Sequence, residues 1–122
     1  MPLPAAETPV FDPIAIDRLR EVAGDQGSTF VADMAQLFLD ETTRVLAELQ
    51  AGREREDWKT VSRLAHSVKS SAATLGLMRL SGACKILELD TKTATSSSET
   101  TTHVAAVMEE FKQATPILKR LS

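Results

Sequence analysis

Apolar residues along this chain recur at steps of three and four, never at steps of two over a strand's length, and they do so in five runs. Residues 1–11 form a polar, proline-bearing stretch that reads as a flexible tail or linker. Asp12 as N-cap and Pro13 at the first helical position then open a short helix, with Phe11 placed to staple onto Ile16 and Gly24 to end it. A second helix follows Gly27 and Ser28, with Phe30, Met34, Leu37, Phe38, Val45 and Leu49 as its apolar face and Gly52 as a left-handed C-terminal cap. The charged turn RERED leads to a third helix between Asp57 and Gly76, and a fourth runs from about Met78 to Thr93, burying Leu80, Cys84, Leu87 and Thr91. Gly82, inside it, suits a close helix contact. The polar stretch ATSSSETT reads as a loop in which Ser96 and Glu99 form a capping box for a fifth helix. That helix presents Val104, Val107, Met108, Phe111, Leu118 and Leu121, with a kink at Pro116. The predicted fold over residues 12–122 is therefore all-α: an antiparallel up-down-up-down four-helix bundle with a short extra N-terminal helix covering one end.

The third helix carries two stripes. Val61, Leu64, Ala65, Val68, Ala72 and Leu75 have the spacing of a buried face. About 100° around the cylinder lie Lys59, Ser62, Arg63, His66, Lys69, Ser70 and Ala73. An isolated helical histidine is usually a solvated surface residue, and His103, which falls off the Val104, Val107 and Phe111 face without organised neighbours, reads that way. His66 differs because Lys69 at i+3 and Ser70 at i+4 are its surface neighbours. Lys59, Arg63 and Lys69 on one stripe repel one another unless an anion relieves them, so the arrangement suits holding something anionic near the imidazole.

Composition narrows the chemistry. The chain has 122 residues, 43% hydrophobic and 25% charged, with a net charge of -3, which fits one folded domain with no second catalytic domain and argues against wholesale nucleic-acid binding. No apolar run spans a membrane, the start lacks the pattern of a signal peptide, and the single cysteine allows no internal disulfide, so the expected location is cytoplasmic. No Glu-x-x-His pair offers a bundle metal site, and no glycine-rich loop offers a nucleotide site. Cys84 lies on the buried face of its helix, where packing accounts for it.

The segment HSVKSSAATLGLMRLSGACKILE resembles the signature of histidine-containing phosphotransfer (HPt) domains: an acceptor histidine, lysine three residues on, small residues next, then Leu-Gly ten residues after the histidine. DWKTVSRLAH and FLDETTRVLAEL are also similar to the family, so the likeness runs from about Phe11 to the C-terminus. Many members have glycine directly after the lysine; here it is Ser70, a small residue. The resemblance implies a phosphorelay intermediate of two-component signalling, accepting a phosphoryl group on His66 from the aspartyl phosphate of one receiver domain and passing it to another. In that reading Lys69 balances phosphoryl charge, and Ser70 donates a hydrogen bond and leaves room for docking. Arg63, Lys59, Ala73 and Leu39 belong to the partner-binding surface, with Ala35 and Leu46 extending an apolar rim on the second helix. The chain needs no cofactor and no ATP site of its own, since Mg²⁺ comes with the receiver of a response regulator or hybrid sensor kinase. The resemblance allows a stand-alone protein or the cytoplasmic portion of a membrane-bound sensor kinase. Two other readings stay open: a helical adaptor that docks through the His66 face without being phosphorylated, and the phosphoacceptor domain of a chemotaxis-type kinase.

Overall fold

A computed structural model describes residues 8–92 and 97–122, and every long element among them is an α-helix: α1 (Pro13–Ala23), α2 (Gly27–Glu54), α3 (Trp58–Thr74), α4 (Met78–Lys92) and α5 (Ser97–Leu121), with a single 3-10 turn at Gly24–Gln26. The starts are capped as the sequence predicts. Asp12 accepts a hydrogen bond from the Ile14 amide at 3.0 Å with Pro13 behind it, and Asp57 accepts from both the amide and the hydroxyl of Thr60 at 3.2 and 2.7 Å. Those two bonds from Thr60, the hydroxyl's being the stronger influence, hold the Asp57 carboxyl below the ordinary aspartate value. Helix α5 begins by Ser97, so Ser97 to Thr101 are helical rather than loop, while the proposed cap at Ser96 lies outside the described residues. The helix continues through Pro116 to Leu121.

Helices α2 to α5 pack as an antiparallel four-helix bundle. Contacts descend one helix as they climb its neighbour: His66 meets Glu88 and the Lys69 carbonyl meets Ser81 across α3 and α4, Asp90 meets Thr100 and Arg79 meets Glu110 across α4 and α5, and Phe38 meets Phe111 and Arg53 meets Thr101 across α2 and α5. The core holds Val31, Leu46, Leu49, Leu64, Val68, Leu80, Leu87, Val107 and Leu118, each contributing about 1.5–3 kcal/mol by leaving water. Helix α1 contributes Ile16 and lies at the end of the bundle where α3 turns into α4, because the Asp12 amide donates to the Gly76 carbonyl at 2.8 Å. Just upstream, the Thr8 carbonyl accepts from Arg79, which also pairs with Glu110 at 3.0 Å. No helix among the described residues is long and apolar enough to cross a membrane.

Three expectations are corrected. Gly52 does not end α2; it is buried inside the last turns, where a Cβ would press on the Val61 side chain, and the left-handed position falls to Glu56 at φ 57°. The buried stripe of α2 is Val31, Ala35, Phe38, Thr42, Leu46 and Leu49, so Phe30 and Leu37 face solvent. Helix α2 carries more apolar residues than one face holds, and packing on both α3 and α5 sets the phase. His103 is 3% exposed and not a surface residue, because the buried arc of α5 is centred on Thr100, His103, Val107 and Ala114; its Nδ1 has no hydrogen-bond partner among the described residues.

Gly76 ends α3 at φ +77°, with the Leu77 amide donating to the Ala72 carbonyl and the Gly76 amide to the Ala73 carbonyl. A Cβ there would collide with the Asp12 carbonyl, whereas at Gly24, φ +60°, it would meet nothing within 4 Å. Gly24, at φ 60° and ψ −126°, lies in a backbone region that favours glycine, so Gly24→Ala is expected to cost only backbone strain of about 1–3 kcal/mol, and Gly76→Ala clearly more. Paired thermal melts measure this, and equal losses would show that α1 does not press on the turn.

Candidate functional site

The second stripe of α3 stands where its period puts it. Lys59, Arg63, His66, Ser70 and Ala73 are exposed and Lys69 is half-buried, while Val61, Leu64, Ala65, Val68 and Ala72 face the core. The His66 side chain keeps 59% of its surface open to solvent. Ser70 turns its hydroxyl back onto the His66 carbonyl at 3.3 Å, an ordinary helical back-bond.

The residue that organises this surface comes from the neighbouring helix. Glu88 of α4, whose side chain is only 12% exposed, places Oε2 2.8 Å from His66 Nδ1 and Oε1 2.7 Å from Lys69 Nζ. Burial works to raise the Glu88 carboxyl, but the hydrogen bonds from Lys69 and His66 and their charges outweigh it, leaving the group below its ordinary value of 4.5 and ionised at neutral pH. An ionised carboxylate only accepts, so Nδ1 must carry the proton it donates. The neutral ring therefore has its lone pair on Nε2, which makes no hydrogen bond to any described residue. Lys69 spends one donor on Glu88 and keeps two. One turn before Glu88, burial first and the nearby Glu88 charge second push the Cys84 thiol up to about 12, so it is no nucleophile.

Glu88 had one sequence signal: a carboxylate four residues after Cys84, on the margin of an apolar arc. His66 lies ten residues before Gly76 and Glu88 twelve after it, so an antiparallel turn there brings the two side by side.

On its other flank the His66 stripe borders a cleft of about 370 Å³ between α2 and α3, lined by Met34, Leu37, Phe38 and Val45 and by Val68 and Leu75, with Ser67 and Ser71 on the His66 side. Leu37 at its mouth is 61% exposed. This corrects the expected apolar rim: Ala35 and Leu46 are core residues, 0% and 1% exposed, and Leu39 is half-buried against the core. The rim lies on the α2 arc nearer α3.

Residues 33–114, 82 of the 122, match the family model of the Hpt domain. The chain belongs to the Hpt domain family. This Hpt domain is 28% identical over 79 residues, 65% of its length, to Multistep phosphorelay regulator 1 of Schizosaccharomyces pombe, and the match spans 27% of that relative. In structure it is similar to histidine-containing phosphotransfer protein B (HptB) from Pseudomonas aeruginosa PAO1, with a TM-score of 0.78, 22% identity and 95% of each chain covered. A putative histidine-containing phosphotransfer protein from rice gives the same TM-score at 19% identity, over 92% of this chain and 80% of that one. At those identities the two structures speak for the bundle fold.

A carboxyl whose pKa is lowered on folding adds stability above its unfolded value and loses it as the pH falls through the folded value. Glu88 is such a group, so the wild type should lose more of its stability than Glu88→Gln as the pH drops below 4.5. Urea unfolding at pH 7 and at pH 3.5 checks this; parallel losses in the two proteins would mean that the carboxylate is not held in the ionised state by His66 and Lys69.

Proposed function

We propose that this Hpt domain is a phosphorelay intermediate whose His66 Nε2 takes a phosphoryl group from the aspartyl phosphate of one receiver domain and yields it to the aspartate of another. The observation that carries the reading is the pairing of Nδ1 with Glu88, which leaves the nucleophilic lone pair on the solvent-facing nitrogen of an exposed ring. The family match and the likeness to a phosphorelay regulator support the same reading.

In this reading the chain is a phosphoryl carrier and not an autonomous enzyme. The receiver, belonging to a response regulator or a hybrid sensor kinase, supplies the acidic pocket and Mg²⁺ that in-line transfer requires. Lys69, with two donors to spare, meets the phosphoryl oxygens as charge is redistributed, and Arg63 and Lys59 continue the basic stripe toward the acidic pocket. The cleft beside Ser67 and Ser71 receives an apolar helix face of the receiver, and Ala73 leaves its approach open. Ser70 serves by being small, since its hydroxyl is already turned to the backbone.

His66→Gln is expected to abolish labelling by a phosphorylated receiver while leaving helical content unchanged, because the exposed side chain fills no core space. The wild-type label should disappear in mild acid and survive alkali, as a phosphoramidate does. An equally labelled variant, or an acid-stable label, would overturn the assignment of His66.

Ser70→Leu should fold like the wild type, being exposed, yet block transfer by holding the reacting atoms beyond about 3.5 Å. Ser70→Gly should transfer normally with about 1 kcal/mol less helix stability. Transfer through the leucine variant at the wild-type rate would mean that the receiver does not close over this stripe.

A further inference from the structure

The two rims of the cleft beside His66 differ in charge, and we propose that this difference selects the partner. The cleft takes a receiver whose apolar docking helix carries a lysine or arginine on the edge facing α2, and Glu41 is the residue that reads it. The inference rests on the docking reading above.

Chain direction sets the two walls against each other. Helices α2 and α3 run antiparallel, and the position of Gly52 packs on Val61. Counting eleven residues back from Gly52 and ten on from Val61 brings Glu41 opposite Ser71. Both line the cleft, whose floor of Phe38, Val45, Val68 and Leu75 is apolar. Among the described residues that line it, Glu41 alone is charged. Nothing on the α3 wall answers that charge. The hydroxyls of Ser67 and Ser71 bond to no described residue, unlike those of Ser70 and Thr74, which turn back onto their own helix. A carboxylate and two uncommitted hydroxyls can all accept hydrogen bonds around an apolar floor. What they fit is a side chain apolar along its stem and cationic at its tip.

The mouth of the cleft repeats the pattern. Leu37, 61% exposed, has Asp33 at i−4, Asp40 at i+3 and Glu41 at i+4, so an exposed leucine stands among three carboxylates. An apolar site ringed by one charge is complementary to an apolar surface carrying the other. Across the cleft α3 has no carboxylate, only the cations Lys59, Arg63 and Lys69. A receiver with its acidic pocket toward α3 and a basic residue toward α2 therefore docks in one orientation, the one that brings the pocket over His66.

Glu41 can meet a partner's cation without stranding its own. Arg44 pairs with it at 2.6 Å and also reaches Glu48 at 3.5 Å. When an incoming lysine or arginine takes Glu41, Arg44 keeps Glu48. The Glu41–Arg44 pair is more than half exposed on both sides, so exchanging it costs little.

The test follows label transfer to the full chain at increasing concentrations of a phosphorylated receiver domain, the probe being one that labels wild-type His66, and separates KM from the saturated rate. Glu41→Gln should raise KM about threefold and Glu41→Lys about tenfold with the saturated rate unchanged, because a rim charge acts on encounter and docking rather than on transfer. Replacing the receiver's basic residue on that helix by glutamate should restore KM for Glu41→Lys. Glu109→Lys makes the same change in net charge on α5, diagonal to α3 in the bundle, and should leave KM as in the wild type. Leu37→Ala reports on the cleft itself and should raise KM whatever the charge. Four results would overturn the inference and leave the docking reading standing: a raised KM in Leu37→Ala with none in Glu41→Lys, an equal rise in Glu109→Lys, a charge swap that restores nothing, or a receiver that labels the wild type with no basic residue on its docking helix. If neither Leu37→Ala nor Glu41→Lys moves KM, the receiver does not use the cleft and both readings fall. Should Glu41→Lys fail to fold by circular dichroism, Glu41→Gln decides, and an unchanged KM in that variant overturns the proposal.

Discussion

The left-handed turn at Gly76 is the constraint on which the rest of this molecule's chemistry depends. It joins α3 to α4 with a fixed phase, and a slip of one residue on either side would swing every side chain about 100° around its helix. His66 and Lys69 would then face away from Glu88, and the 2.8 and 2.7 Å contacts would vanish together. The turn is held from both sides: by the hydrogen bonds that close α3 onto Ala72 and Ala73, and by the Asp12 amide on the Gly76 carbonyl. Because the Asp12 carbonyl occupies the space where a Cβ would stand, the first helix protects the register of a site it never touches.

Within that register one carboxylate organises three groups. Glu88 fixes the proton of His66, holds the ammonium of Lys69, and helps to keep the Cys84 thiol protonated. A shielded charge of this kind is a weak contributor to stability, since desolvation offsets most of the attraction, and an apolar residue of similar size would fold about as well. Its presence is better explained by chemistry than by folding. Nucleophilic character is removed from sulfur inside the bundle and concentrated on one ring nitrogen outside it.

What the sequence discloses and what it hides divide along the range of the forces involved. The α3 stripes were legible because the period, the Asp57 cap and the Gly76 terminator all act within a few residues. Five helices, their order and most of their limits follow from equally local signals. Glu88 was hidden because its meaning lies in a tertiary register, and a glutamate beside an apolar arc looks like a solvated one until the facing helix is placed. The phase of α2 was hidden for a related reason: Phe30, Met34, Leu37 and Phe38 span more than one face, and only packing on two neighbours decides that Ala35 is inside and Leu37 outside. His103 misled in the opposite sense, because its arc on α5 is completed by Thr100 and Ala114, residues too small or too polar to announce a core. At Gly52 a local rule was outweighed by packing: close approach of Val61 claimed the glycine, and the exposed Glu56 took the strained conformation instead.

The arrangement around His66 separates two tasks that one surface must otherwise share. On the α4 side lies a nearly buried carboxylate that governs the ring, and on the α2 side lies an apolar cleft open at Leu37. In the proposed docking mode a partner in the cleft would gain from burying apolar area and would need no contact with Glu88, which would place affinity and chemistry on different helices. Both border α3, whose exposed stripe lies between the carboxylate and the cleft. In the proposed relay, the rigid helical spacing of His66, Lys69 and Ser70 would set the geometry of transfer for any partner, and changes on the outer arc of α2 would alter the docking surface without disturbing the ring.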